Sequence, residues 1–174
     1  KPIPPTKTGS TESLANWSAL GRQGRRFISS GPTAADLADY FDIAPVKEPL
    51  RVYIGINSAD TPEDRAALAL EELKRVGAFD RSVLLLITPT GTGWVDPAGM
   101  DTVEYLHRGD IASVAVQYSY LPSILSLLLE GEYGSETARS LFEVVYAYWT
   151  ALPKESRPAL YLYGVSLGAL NSDR

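Results

Sequence analysis

Residues 159–168 read Ala-Leu-Tyr-Leu-Tyr-Gly-Val-Ser-Leu-Gly, a short apolar run that leads into a serine bracketed by two glycines. The run is typical of a β-strand, and the Ala-Leu pair that follows can begin a helix. Gly164 and Gly168 leave room for a sharp strand-to-helix turn that holds Ser166 in a strained, exposed position. The spacing therefore predicts a nucleophile elbow with Ser166 as the attacking residue.

A serine in such a turn has two sources of stabilisation for an oxyanion. The backbone N–H of Leu167 points to the place where negative charge develops, and the following helix N-terminus adds a partial positive charge. The alternative is a strand that ends in a glycine-bracketed turn with no catalytic role. The position of the motif after several predicted strands favours the catalytic interpretation.

Upstream of this motif the chain alternates strand and helix patterns. Apolar strand runs occur at 51–56, 82–87, 111–117 and 159–163. Helix patterns occupy 61–76, which begins at Thr61-Pro62 and stops at Gly77, and 135–152. Because parallel strands need crossover connections, the alternation predicts a three-layer α/β domain around a mainly parallel sheet. The loops after its strands should face one common site.

The N-terminal stretch has a different composition. Residues 1–30 are rich in Pro, Thr, Ser and Gly, so we predict an extended lead-in that drapes over the domain. We expect the α/β domain itself over residues 31–174, beginning with a short helix that has Thr33 as N-cap and Asp36 in its first turn.

Charge and composition exclude several functional classes. The net charge of −5, with no basic run beyond residues 22–26, argues against nucleic-acid binding. The absence of cysteine excludes disulfides and thiolate metal sites. Acids at 60, 63 and 64 are explained by the start of a helix and need no cation. We expect neither a metal nor a cofactor.

A second loop predicts the same chemistry as the serine motif. Residues 88–94 read Thr-Pro-Thr-Gly-Thr-Gly-Trp and follow the 82–87 strand. Glycines let a loop turn its amides inward, so we expect Thr90, Gly91 or Thr92 to donate the second oxyanion N–H. A plain Gly/Thr turn and a phosphate-binding loop are the alternatives, although no Lys-Ser/Thr pair follows to complete a P-loop.

The segment after the 111–117 strand is the candidate substrate pocket. Tyr118, Ser119 and Tyr120 lie where side chains would line the pocket mouth, and aromatic packing beneath a loop explains them equally well. Residues 121–129 are apolar and form either a helix at the pocket edge or a surface for a partner.

His107 is the only histidine, so it has to be considered as the general base. In hydrolases with this elbow the acid and the histidine follow the serine, whereas His107 precedes it and Asp173 lies too close to it. We therefore expect the acid and base of the triad in a remaining C-terminal part of the domain. The 174 residues alone should be nearly inactive.

Five segments resemble one known family: 51–64, 88–97, 104–107, 117–123 and 164–169. They are similar to the catalytic domain of bacterial α/β-hydrolases that carry a separate N-terminal membrane-spanning region. The resemblance implies an α/β-hydrolase fold, present as its N-terminal part and ending just after the elbow. It also implies a membrane tether before Lys1 and a domain at the cell envelope, on the extracytoplasmic side. Val165 is a departure, because the family usually has Glu before the nucleophile.

These observations lead to two hypotheses. The first is a serine hydrolase of carboxylic esters or lipids, or an acyltransferase, that works through an acyl-Ser166 intermediate. The second is a non-catalytic hydrolase-like domain that binds a lipid or a protein partner through Tyr118 and residues 121–129. A downstream Asp and His positioned against Ser166 would favour the enzyme, and their absence from the full-length protein would favour the binder.

Overall fold

The computed structural model describes residues 3–44, 46–120 and 133–165. Within them lies a four-stranded parallel sheet whose order is β1-β3-β2-β4. The strands are β1 Leu50–Ile54, β2 Val83–Thr88, β3 Ile111–Val116 and β4 Ala159–Gly164. All four predicted strands are present, with small shifts at their ends. The predicted α/β architecture with a mainly parallel sheet is confirmed.

Helices cover both faces of the sheet. They are α1 Gly21–Ser29, α2 Ala34–Phe41, α3 Pro62–Arg75, α4 Pro97–Leu106 and α5 Tyr133–Ala151, with short 3₁₀ turns at Trp17–Leu20, Ile56–Ser58 and Ala78–Asp80. The chain crosses the sheet in one direction through α3 and α5 and in the other through α4. Right-handed crossovers therefore place α3 and α5 together on one face and α4 on the other.

The helix ends follow the predicted signals. The Thr33 side chain and the Asp36 carboxylate form a reciprocal capping box at the start of α2. Thr61 caps α3, Pro62 occupies its first turn, and Gly77 adopts a left-handed φ of 73° just after its last turn.

The N-terminal segment is more regular than the extended lead-in predicted for residues 1–30. Residues 21–29 form α1, and Leu20, Phe27 and Ile28 are buried against the sheet. Gly24 lies against the ring of Tyr53, where a β-carbon would overlap that ring. Contact with β1 thus supplies the helix stability that a sequence rich in Gly and Arg does not provide.

The helix α4 was also not predicted, since residues 104–107 look like a polar stretch. Asp96 is its N-cap and accepts hydrogen bonds from the N–H groups of Ala98 (3.2 Å) and Gly99 (3.1 Å). Pro97 occupies the first helical position. The Asp-Pro pair was an available signal for this helix.

A buried ion pair joins the strand β1 to the helices α1 and α4. Arg51 of β1 donates to both carboxylate oxygens of Glu104 in α4, at 2.7 Å each. It also donates to the carbonyl of Phe27 in α1 at 2.8 Å, and its guanidinium lies over the Phe27 ring. Arg51 and Glu104 are both buried, so each charge depends on the other.

Glu72 of α3 holds the N-terminal segment against the domain. It is fully buried and accepts hydrogen bonds from the Ser13 hydroxyl (2.7 Å), the Leu14 N–H (3.1 Å) and the Arg75 guanidinium (2.7 and 2.8 Å). Burial by itself would raise the pKa of Glu72, but these hydrogen bonds together lower it below its ordinary value.

The lowered pKa of Glu72 predicts a loss of stability in acid. A carboxyl group with a lowered pKa in the folded state stabilises the protein above its unfolded pKa, and this stabilisation is lost as the pH falls through the folded pKa. We expect the free energy of unfolding in urea to fall as the pH drops from about 5 into the acid range. Glu72→Gln should show a shallower decline. Equal slopes for the variant and the wild type would contradict this role of Glu72.

Candidate active site

The carboxyl ends of β2 and β4 lie side by side. In the strand register Ile87 pairs with Tyr163 and Thr88 pairs with Gly164. The β2 loop, which we define as residues 89–96, therefore starts beside Gly164, the last residue of β4, shortly before Ser166 in the sequence. Ser166, Leu167 and Gly168 themselves, and the apolar surface predicted at 121–129, lie outside the described residues.

The β2 loop closes on itself by two backbone hydrogen bonds and leaves two of its amides without an acceptor among the described residues. The N–H of Thr90 donates to the carbonyl of Trp94 (3.0 Å), and the N–H of Gly93 donates to the carbonyl of Thr90 (2.7 Å). Between them, the N–H groups of Gly91 and Thr92 have no acceptor in the described part of the chain, and Gly91 is buried. A buried amide without an acceptor is costly, so these two are the better candidates for oxyanion donors than Thr90.

Two side chains hold the β2 loop from beneath. Tyr53 of β1 is fully buried and donates to the carbonyl of Gly93 at 2.8 Å. Gln117, just after β3, donates to the carbonyl of Ser119 (2.8 Å) and more weakly to that of Thr92 (3.4 Å). Burial raises the pKa of Tyr53, so its hydroxyl remains a donor at neutral pH. The loop amides are thereby fixed relative to the sheet.

Gly93→Ala is expected to damage the site. Gly93 has a left-handed φ of 83°, and a β-carbon there would overlap the Tyr53 hydroxyl and lie 3.0 Å from Gln117. The strain should cost about 1–3 kcal/mol of stability and displace the loop, slowing Ser166 chemistry by about tenfold or more. Thermal unfolding measures the loss of stability. The rate at which a fluorophosphonate, a reagent for activated serines, labels the protein measures the effect on Ser166.

Gly77→Ala is the matched control for Gly93→Ala. It also has a positive φ (73°), but the nearest atom to a β-carbon there is 3.5 Å away, and the residue lies at the end of α3. We expect a loss of stability with unchanged labelling. Normal labelling in a folded Gly93→Ala protein would show that the β2 loop does not serve Ser166.

Tyr163 joins the end of β4 to the start of α4. Its hydroxyl group lies against Gly99, where a β-carbon would overlap it. Burial, and then the nearby charge of Asp96, raise the pKa of Tyr163, which stays protonated at neutral pH. The end of β4 is thus packed against the start of α4, shortly before Ser166 in the sequence.

The three candidate pocket residues have different surroundings. Tyr118 and Ser119 are buried, whereas Tyr120 is 57% exposed. Tyr118 also lines an open cleft of about 440 Å³ at the carboxyl ends of β1 and β3. The structure brings Tyr118 to the functional edge of the sheet, and the role of all three in substrate binding stays a prediction.

His107 lies far from Gly164, the last residue of β4. The helix α4 starts beside the β2 loop and runs back along the sheet for ten residues, about 15 Å. His107 follows its last turn, near the amino end of β3 at Ile111. It is therefore at the opposite edge of the sheet from Gly164 and cannot serve as base for a serine that follows β4.

The described residues 3–44, 46–120 and 133–165 contain no group of three or more His, Cys, Asp or Glu side chains placed to hold a metal ion. None of their helices is long and apolar enough to cross a membrane.

Comparison with known proteins supports the assignment of the fold. The chain matches the family model described as Alpha/beta-hydrolase family over residues 50–174, and that described as Alpha/beta-hydrolase family N-terminus over residues 1–32. No curated protein and no solved structure matches it. The first match covers most of the chain and includes all four strands and the Gly-x-Ser-x-Gly motif. On this ground, and on that of its parallel sheet, the chain belongs to the alpha/beta-hydrolase family.

Proposed function

We propose that the protein is a serine hydrolase that acts on carboxylic esters or lipids through an acyl-Ser166 intermediate. Transfer of the acyl group to an acceptor other than water is a variant of the same chemistry. The supporting observation is the pairing of Thr88 with Gly164, which sets the unused amides of the β2 loop beside the strand that leads to Ser166.

In the proposed reaction the Ser166 hydroxyl attacks the ester carbonyl carbon while a histidine takes its proton. The resulting oxyanion accepts hydrogen bonds from the N–H of Leu167 and from that of Gly91 or Thr92. When this tetrahedral intermediate collapses, the bond between the carbonyl carbon and the alcohol oxygen breaks. The alcohol leaves with the proton that the histidine took from Ser166. Water, activated by the same histidine, then attacks the acyl-serine and releases the acid.

We propose that the histidine and the acid come from a C-terminal part of the hydrolase domain. The location of His107 near the amino end of β3, away from the end of β4, supports this. The side of β4 that does not pair with β2 supports it as well. Tyr161 is 55% exposed and Leu162 is 50% exposed on a strand that pairs only with β2 among the described residues. Large apolar side chains along an open strand edge favour coverage by further structure.

The setting of the reaction is proposed from the resemblance alone. The family's members carry a membrane-spanning region before the catalytic domain, so we propose a tether to the cell membrane and a domain on the extracytoplasmic side. Ester or lipid substrates at the envelope would suit that location.

A fluorophosphonate probe tests the proposed function. We expect the full-length protein to be labelled and Ser166→Ala to remain unlabelled, because the probe reacts with an activated serine. Ser156→Ala is the control, since Ser156 is exposed in a turn after α5 and should leave labelling unchanged. Equal labelling of wild type and Ser166→Ala would overturn the proposal. A folded wild type that is never labelled would favour the non-catalytic binder of a lipid or protein.

A further inference from the structure

The cleft of about 440 Å³ contains a charged side chain that the proposed reaction does not use. The cleft is formed by the residues that follow β1, by the start of α3 and by Tyr118 after β3. Arg65 lies in its wall and is only 6% exposed. The cleft thus opens at the same edge of the sheet as the β2 loop, but over β1 and β3.

Arg65 has few partners for so buried a cation. One terminal nitrogen, Nη1, donates to the carbonyls of Ala59 (3.0 Å) and Asp60 (3.3 Å). The Nε atom is buried and has no hydrogen-bond partner among the described residues. No carboxylate there forms an ion pair with Arg65. Burial lowers the pKa of Arg65, and the longer-range attraction of Glu63, Asp64 and Glu136 offsets this only in part.

The contrast with Arg51 shows what is missing. Arg51 is equally buried, yet Glu104 receives two of its hydrogen bonds and Asp101 a third. Buried cations in proteins are normally paired, because an unpaired one loses its hydration without compensation. Arg65 lines a cleft of about 440 Å³, which is large enough for a small ligand, so the missing partner can come from outside the chain.

We propose that this cleft binds an anionic oxygen group, a carboxylate or a phosphate, through the Arg65 guanidinium. Such a group matches the planar donor geometry of arginine. Three strand spacings separate β1 from β4, about 14 Å along the sheet edge. The anion is either a free small ion or the acidic end of an ester whose carbonyl lies at Ser166. Only the second source rests on the proposed function.

Substitution of two exposed residues that line the cleft changes the charge of the cleft without replacing Arg65. Asn57 and Asp60 both line the cleft and are exposed. Asp60 repels an incoming anion, so Asp60→Asn should strengthen binding. Asn57→Asp adds a negative charge on a side chain of nearly the same shape and should weaken binding. A unit charge a few ångströms away through solvent corresponds to a change of about threefold in affinity.

The direct experiment titrates inorganic phosphate, and separately acetate, into the full-length protein while NMR follows the Nε–H signal of Arg65. We expect a saturable shift, about threefold weaker binding for Asn57→Asp and about threefold tighter binding for Asp60→Asn. Arg65→Gln should lose binding by about tenfold or more, provided that it folds. Equal affinity in the wild type and the two Asn/Asp variants, or no saturable shift, would overturn the proposal.

A pair of esters distinguishes the two sources of the anion. The p-nitrophenyl ester of dodecanoic acid and the mono-p-nitrophenyl ester of dodecanedioic acid differ by one terminal carboxylate. A lower KM for the charged ester, lost in Asn57→Asp, assigns the anion to the substrate. Phosphate binding with equal KM values assigns it to a free ion. Ser166→Ala should still bind phosphate, so failure of the hydrolase proposal would leave this test intact.

Discussion

Ser166→Ala is expected to reduce the kcat for ester hydrolysis by the full-length protein on the order of 10⁴-fold or more. The hydroxyl is the only group that the proposed mechanism uses to form the acyl intermediate. The two oxyanion amides and the substrate pocket remain, so KM should change little. Rates of p-nitrophenyl ester hydrolysis over a range of concentrations, from well below KM up to saturation, measure both constants.

The control for this loss is a serine of similar chemistry away from the site. Ser156→Ala should retain the wild-type kcat. A Ser166→Ala protein that keeps a tenth or more of the wild-type kcat would exclude the acyl-serine route. In that case a different residue at the carboxyl ends of the strands would be the nucleophile.

Arg51→Ala is expected to lower the free energy of unfolding by about 3–5 kcal/mol. The substitution removes the partner of Glu104, which is 1% exposed and accepts both of its close hydrogen bonds from Arg51. It also removes the donor to the Phe27 carbonyl, which links α1 to the sheet. Urea unfolding followed by circular dichroism measures the change.

Removing both charges separates the ion pair from simple loss of packing. Arg51→Met combined with Glu104→Leu should be far more stable than Arg51→Ala, because neither charge is left buried alone. Arg22→Ala, on the exposed face of α1, should lie within about 0.5 kcal/mol of wild type. A loss below about 1 kcal/mol for Arg51→Ala would contradict the structural role assigned to this pair.

Much of the fold was predictable because the strongest local patterns coincide with tertiary contacts. The strands β2 and β3 are continuous apolar runs and are buried along their whole length. The helix α1 was not predictable in the same way, and α4 was signalled only at its start, by the pair Asp96-Pro97. The first depends on contact between Gly24 and Tyr53, and the second buries Glu104 against Arg51. Neither partner is near in sequence, so no local pattern reveals the contact.

The candidate site shows the same division. The glycine-rich sequence predicted that the β2 loop would offer amides, and the structure shows which of them have no acceptor among the described residues. That result depends on the Thr90–Trp94 closure and on support from Tyr53 and Gln117, which lie in other strands or beyond them. Gln117 was a possible signal, as the polar end of an apolar run. Nothing in the sequence around Arg65 indicated that it would be buried without a carboxylate.

The most direct test of the central claim is to identify the residue that a fluorophosphonate modifies, since this reagent phosphonylates the activated nucleophile that would otherwise take up the acyl group. The full-length protein is treated with a fluorophosphonate, digested, and analysed by tandem mass spectrometry of the modified peptides. Our account predicts a single adduct on the Ser166 hydroxyl, in the peptide that follows β4. An adduct on any other residue, with Ser166 unmodified in an active preparation, would contradict it.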